Sequence, residues 1–204
     1  PAMEELGIGK DDRIIVYDNS QTRNAARGWF MFRHFGVRDV AILDGGFQKW
    51  VAEHRPVESG EPQPRSVTFA ADENRHEIVT KQAILCGNHD PLLDARGKPR
   101  FEGGEQDPRP GVAPGHIPGA RNLPFVALYR EDGTCKSVEE IRTLFADVGI
   151  DPARPFIATC GSGVTANSLI FAAHLLGHDT ARLYDGSWSE WGSDPATPKA
   201  LGPA

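Results

Sequence analysis

Cys160-Gly161-Ser162-Gly163-Val164-Thr165 puts a thiol, two glycines and two hydroxyls into one short turn. The apolar run Phe156-Ile157-Ala158-Thr159 precedes it and a helical pattern starting near Ala166 follows. Glycines at 161 and 163 let the backbone curl so that consecutive N–H groups point inward, and at a helix start such groups make a nest for an anion. A thiol at the lip of that nest is held as thiolate, the nucleophilic form of cysteine. Cys160 is therefore the candidate nucleophile, with Gly161, Gly163, Val164 and Thr165 framing whatever it binds. The competing reading, a core cysteine after an apolar strand, leaves the two glycines unexplained. A phosphatase loop would need arginine six residues after the cysteine, where this chain has Ala166, and no Gly-x4-Gly-Lys phosphate loop occurs. None of the seven histidines can be placed beside Cys160 as a protease base from sequence. Cys86 and Cys135 lack a glycine nest and receive no catalytic role.

The elements that must carry this turn occur twice. Gly7-Ile8 and Ile14-Ile15-Val16-Tyr17-Asp18 lie 142 residues before Gly149-Ile150 and Phe156-Ile157-Ala158-Thr159-Cys160. Leu43-Asp44-Gly45-Gly46-Phe47-Gln48-Lys49-Trp50 lies 141 residues before Tyr184-Asp185-Gly186-Ser187-Trp188-Ser189-Glu190-Trp191. Between these landmarks each copy carries a helical pattern closed by glycine, Ala25 to Phe35 before Gly36 and Ala166 to Leu176 before Gly177. Each copy reads strand, turn, helix, glycine, strand, which implies βαβ units and a mostly parallel sheet flanked by helices. Ligands of such sheets bind at the carboxyl ends of the strands, where Cys160 falls.

The second copy has about 50 residues of its own, including Leu92-Leu93-Asp94, the turn Gly115-His116-Ile117-Pro118-Gly119-Ala120 and a capping box from Ser137 to Glu140; their counterparts would fall before residue 1. The first copy is thus expected to be incomplete, and the chain to be a fragment of a longer protein. Residues 1–55 are expected to form this partial domain, 56–70 a proline-rich linker and 71–204 the complete domain.

Composition narrows the partners. Twenty-eight acidic and 22 basic residues give a net charge of −6, which argues against nucleic acid and anionic membranes. No run of 18 apolar residues occurs, and 39% hydrophobic content supports a core. Three scattered cysteines without a CxxC pair or zinc spacing fit a reducing, cytoplasmic compartment rather than a disulfide scaffold or a structural metal.

The loop Cys160-Gly161-Ser162-Gly163-Val164-Thr165-Ala166 resembles the active-site loop of the 3-mercaptopyruvate sulfurtransferases, tandem-domain members of the rhodanese superfamily. Leu93-Asp94-Ala95-Arg96, Arg100-Phe101, Pro108-Arg109-Pro110-Gly111, the Gly115–Ala120 turn and Tyr184–Trp191 extend the resemblance over nearly the whole chain. It implies an inactive first domain, in agreement with Asp18 at the place of Cys160, and a catalytic second domain. It further implies that Cys160 takes sulfur from 3-mercaptopyruvate as a persulfide, releases pyruvate, and passes the sulfur to cyanide or a thiol such as thioredoxin or glutathione, without metal or organic cofactor. Arg100 and Arg109 match the family's two substrate arginines, whose guanidinium forks suit a carboxylate and ketone. Ser162 has two open roles, proton transfer as the resemblance implies or a backbone-capping hydroxyl. Thr165 is expected to cap the following helix. His116 is expected to be satisfied by backbone, Asp94 and Arg96 to form a structural ion pair, and Trp188 and Trp191 to be core or rim aromatics, with Gly186, Ser187 and Trp188 at the pocket mouth as the second reading. Family members that prefer thiosulfate carry basic residues in the loop; the uncharged Gly161-Ser162-Gly163 favours mercaptopyruvate. Thiosulfate sulfurtransferase and a noncatalytic binding module are the alternatives. A histidine and an acidic residue that reach the substrate in full-length relatives belong to the half-domain this chain lacks.

Overall fold

The computed structural model describes residues 2–87 and 89–204, which divide into two units. The first runs to Arg75 and takes in Glu131–Thr134; the second comprises His76–Arg130 and Cys135–Ala204.

In the first unit the order is α1 (Ala2–Glu5), β1 (Ile14–Val16), α2 (Ala25–His34), β2 (Val40–Ile42) and α3 (Gly46–Ala52). β1 and β2 pair in parallel, with Ile14 opposite Val40 and Val16 opposite Ile42. Ala25, Ala26, Trp29 and Phe30 give α2 one buried face at helical spacing. Phe35 caps its C-terminus and Gly36 follows at φ +92°, a left-handed turn that glycine takes without strain. The proline-rich segment read as a linker returns to this unit, where the Phe69 N–H donates to Glu4 Oε1 and Arg65 pairs with Asp12. Residues 71–75, assigned from sequence to the second domain, stay with the first because the N–H groups of Asp72 and Asn74 donate to the carbonyls of Phe35 and His34.

The second unit holds α4 (Lys81–Leu85), β3 (Leu92–Asp94), α5 (Lys98–Glu102), β4 (Arg121–Asn122), α6 (Val138–Asp147), β5 (Ile157–Thr159), α7 (Ala166–Leu175), β6 (Arg182–Leu183) and α8 (Ser187–Trp191). Its strands are all parallel in the order β4-β3-β5-β6. β3 and β5 are buried at every residue, as uninterrupted apolar strands of a covered parallel sheet must be. Leu92, Phe101, Ile157, Tyr184, Trp188 and Trp191 meet in one core. The capping box at α6 forms as expected: the Glu140 N–H donates to Ser137 Oγ and the Ser137 N–H to Glu140 Oε2.

The repeat extends to individual hydrogen bonds. The Leu43 N–H donates to the Val16 carbonyl and the Tyr184 N–H to that of Ala158, both at 2.9 Å. The Phe47 N–H donates to Asp18 O at 3.1 Å and the Trp188 N–H to Cys160 O at 3.0 Å. β1 and β2 thus correspond to β5 and β6. Strands equivalent to β3 and β4 do not occur in the first unit among the described residues, so Ile15 is 55% exposed where its counterpart Ile157 is fully buried.

Candidate active site

β5 delivers Cys160 to the carboxyl edge of the sheet, and the chain turns there into α7. That helix buries Ala166 through Ala173, so its N-terminus is fixed against the protein interior. Gly163 makes the turn possible: its φ is +75°, and a Cβ there would lie 2.5 Å from both the carbonyl and a carboxylate oxygen of Asp185.

Cys160 is itself 1% exposed. Its N–H donates to Ser187 Oγ at 3.1 Å, and the Gly163 N–H donates to the same oxygen at 3.0 Å. The Ser187 hydroxyl donates to Tyr184 O at 2.9 Å and lies 4.0 Å from Cys160 Sγ. Ser187 holds a left-handed φ of +51°, at the place where the first copy has Gly46. It was read from sequence as part of the pocket mouth; it is instead completely buried beneath the loop, and Trp188 is buried as its core reading required, its Nε1 donating to Ala113 O at 2.8 Å. Left-handed backbone turns the Ser187 hydroxyl inward under the Cys160 turn, and burial of the Trp188 ring completes the core.

The remaining N–H groups of the turn behave differently. Among the described residues no group accepts from the N–H of Gly161, Ser162, Val164 or Thr165. The carbonyls on the same stretch are occupied: Gly161 O accepts from the Ser189 N–H at 2.9 Å and from Arg109 Nη1 at 2.5 Å, and Asn167 Nδ2 donates to Gly163 O at 2.6 Å and Val164 O at 2.9 Å. Ser162 is exposed and its hydroxyl caps no backbone group, so the capping role is the one the structure removes. Thr165 occupies the N-cap of α7 without capping it: at φ −72°, ψ −16° it is already in helical conformation, from which its hydroxyl makes no bond to the first-turn N–H groups.

Two arginines stand beside the turn. Arg100 comes from α5, which Phe101 anchors by stacking on His116 at 3.8 Å while His116 Nδ1 meets Phe101 O at 2.9 Å, the local backbone partner expected for this histidine. Arg109 follows in the loop. A Cβ on Gly161 would meet Arg109 Nη2 at 3.3 Å and Arg100 Nη2 at 3.4 Å, so both guanidinium tips lie against the loop. Between them sits Asp107, its side chain 2% exposed. Its carboxylate accepts from Arg109 Nε at 2.7 Å, Arg109 Nη2 at 2.8 Å and Arg100 Nη2 at 2.5 Å. Burial works against its charge, but the arginine hydrogen bonds prevail and hold its carboxyl well below the usual range. The bond to Asp107 raises Arg109 in turn, with the negative charge of a Cys160 thiolate adding to the effect. Arg100 Nε is buried without a partner.

Sequence reading brought Cys160, Gly161, Ser162, Gly163, Val164, Thr165, Arg100 and Arg109 to one place, and the structure does the same. It missed Asp107, although an acid two residues before an arginine in a proline-rich loop was the available signal. It also missed Asn167, and Ser187 as the acceptor beneath the turn; a serine where the other repeat has glycine was the sign of the latter. Asp94 and Arg96 form the expected buried pair, with Arg96 Nη2 at 2.7 Å from the carboxylate and donating also to Gly115 O. Among the described residues no cluster of His, Cys, Asp or Glu could hold a metal ion, and no helix is long and apolar enough to cross a membrane.

The profile of the rhodanese-like domain family matches residues 2–53 and 79–194. The chain is 41% identical over 191 residues to human 3-mercaptopyruvate sulfurtransferase, covering 91% of this chain and 64% of that protein. It is also 41% identical, over 191 residues, to the thiosulfate sulfurtransferase of Gallus gallus, with 91% and 65% covered. The crystal structure of SseA from Escherichia coli, described as a 3-mercaptopyruvate sulfotransferase with the rhodanese fold, superimposes with a TM-score of 0.80 at 38% identity, covering 93% of this chain and 71% of that one. The chain thus spans about two thirds of the length of these relatives.

Proposed function

The chain belongs to the family of rhodanese-like domains, and on that premise we propose that it is a sulfurtransferase that takes sulfur from 3-mercaptopyruvate onto Cys160, releases pyruvate and passes the sulfur to a thiol or cyanide. The observation that carries this reading is that the backbone N–H groups of Gly161, Ser162, Val164 and Thr165, in the turn that follows Cys160, have no acceptor among the described residues. A persulfide anion on Cys160 supplies the acceptor they lack, in the manner of an oxyanion hole.

In the first half-reaction the Cys160 thiolate attacks the sulfur of 3-mercaptopyruvate and forms the S–S bond. The C–S bond breaks with its electron pair moving to carbon, which gives the enolate of pyruvate. That carbon takes up the proton the substrate thiol gives up, and Ser162, exposed with an uncommitted hydroxyl, is the group proposed to handle the transfer. Arg100 and Arg109, held together by Asp107, bind the carboxylate and ketone oxygen and stabilise the developing enolate. In the second half-reaction cyanide, or a thiolate such as that of glutathione or thioredoxin, attacks the outer sulfur, and Cys160 leaves as thiolate.

Mass spectrometry of the intact protein after brief exposure to 3-mercaptopyruvate, with peptide mapping and a pyruvate assay, tests the first step. One added sulfur on Cys160, matched by pyruvate and absent from Cys160→Ser, is the expected result; no addition, or addition at Cys86 or Cys135, overturns it. Thiosulfate is the rival donor, since relatives of both names are equally identical to this chain. The uncharged Gly161-Ser162-Gly163 segment favours mercaptopyruvate over a dianion, so kcat/KM is expected to be higher for mercaptopyruvate, and the reverse order transfers the reading to thiosulfate.

A further inference from the structure

We propose that Asn167 is a positioning residue for the sulfur carried by Cys160, acting through the peptide planes of the loop and touching neither sulfur nor substrate. The proposal rests on the sulfur-carrying role of Cys160 given above. In a trans peptide the C=O and the N–H of the same plane point in opposite directions. The Gly163 carbonyl shares its plane with the Val164 N–H, and the Val164 carbonyl shares its plane with the Thr165 N–H. Asn167 Nδ2 donates to both carbonyls, at 2.6 and 2.9 Å. Gripping them from the helix side directs the two N–H groups away from α7 and into the turn, and these are two of the four that have no acceptor. The other two planes are held by different donors: the Trp188 N–H on Cys160 O fixes the N–H of Gly161, and Arg109 Nη1 with the Ser189 N–H on Gly161 O fixes that of Ser162. An outer ring of donors on carbonyls thus sets an inner ring of N–H groups; the Asn167 side chain reaches two of its four carbonyls, that of Gly163 and, together with the Asn167 N–H at 3.3 Å, that of Val164.

Two further observations separate this role from ordinary helix packing. Asn167 is completely buried, and its Oδ1 has no hydrogen-bond partner, so the carboxamide stays in the interior with only its donor half in use. Turning the amide over would set Oδ1 against two carbonyl oxygens, which fixes the orientation chemically. The internal repeat supplies the comparison. Where the first copy has Asp18 in place of Cys160, it has Ala26 in place of Asn167, and the Asp18 carboxylate accepts from the Ala25 N–H at 2.5 Å. The copy without a nucleophile closes its turn with a carboxylate and has no amide at the helix position of Asn167.

The test compares wild type with Asn167→Asp, which keeps the shape but sets an acceptor against the two carbonyls, and with Asn167→Ala. The readout is the rate of Cys160 alkylation by iodoacetamide at pH 6 divided by the rate at pH 9. The ratio is expected to fall about tenfold in both variants, and further in Asn167→Asp, because the Gly163 and Val164 peptide planes lose the side-chain donor that aligns their N–H groups. A folded variant whose ratio equals that of wild type overturns the proposal. Should both variants fail to fold, amide resonances of the ¹⁵N-labelled wild type decide it: those of Val164 and Thr165 are expected to move with those of Gly161 and Ser162 when Cys160 is persulfidated, and their failure to move overturns it. The alkylation ratio needs no sulfur donor, so a protein that takes no sulfur from 3-mercaptopyruvate refutes the functional reading and leaves this test standing.

Discussion

At the scale of single residues, the site joins two guanidinium groups to one carboxylate, which leaves one positive charge of the three charges uncompensated within the cluster before any substrate arrives. Asp107 is the pivot, because one buried carboxylate takes three hydrogen bonds from two guanidinium groups. Charge-assisted bonds of this kind are worth about 1.5–3 kcal/mol each. Asp107→Asn keeps the size but removes the charge that gathers the two arginines, and KM for mercaptopyruvate is expected to rise about tenfold or more, which steady-state kinetics would show; an unchanged KM would leave Asp107 a structural residue only. The pH dependence follows from the same contacts. A carboxyl held below its ordinary value of about 3.9 contributes its full stabilisation above that value and loses it only as pH falls through the lowered one. KM is therefore expected to stay flat with respect to this group from pH 5 to 8, in the wild type and in Asp107→Asn alike. A wild-type KM that climbs between pH 6 and 5 while that of the variant does not would contradict the assignment.

Among the elements, the turn between β5 and α7 decides whether the cysteine is a core residue or a reagent. Gly163 is its most constrained position, with φ at +75° and Asp185 filling the place a side chain would need. Gly163→Ala is expected to lose roughly 1–3 kcal/mol from the left-handed backbone alone, with the clash added. Sulfur loading of Cys160 should fall by more than the loss of folded protein, since the N–H groups on either side are displaced with it. Chemical denaturation and persulfide mass spectrometry on the same sample separate the two effects, and a variant that is destabilised but loads normally would show that the turn tolerates a different path. Ser187 does for the underside of the turn what Asn167 does for its far end: it accepts two N–H groups that would otherwise be buried without partners.

At the scale of the whole molecule one plan occurs twice, with two strands in the first unit and four in the second among the described residues. In the second unit β5 is flanked by β3 and β6; in the first, among the described residues, β1 pairs with β2 alone, and Ile15 and Tyr17 are more than half exposed. A strand flanked on both sides opens only with the sheet around it, whereas an edge strand can open by itself. Hydrogen exchange is accordingly expected to be slowest at Ile157–Thr159 and markedly faster at Ile14–Val16, and equal protection of the two strands would contradict this.

The sequence by itself determined the elements and the turn that carries Cys160, because these depend on near neighbours along the chain. The apolar run before Cys160, the glycine pair after it, the glycines that end α2 and α7, and the Ser137–Glu140 capping box are all local chemistry, and each lies where the residues required. The repeat disclosed the correspondence of β1 and β2 with β5 and β6 in the same way, through spacing alone. Tertiary structure decided which polar atoms satisfy which. That Asp107 binds both arginines, that Ser187 lies beneath the loop instead of at its mouth, that Thr165 leaves its helix uncapped and that Asn167 turns its amide onto two carbonyls all depend on backbone angles and on the approach of segments far apart in sequence. Hydrogen bonds extend only about 3 Å and are directional, so partner choice is settled only once the chain has closed around Cys160.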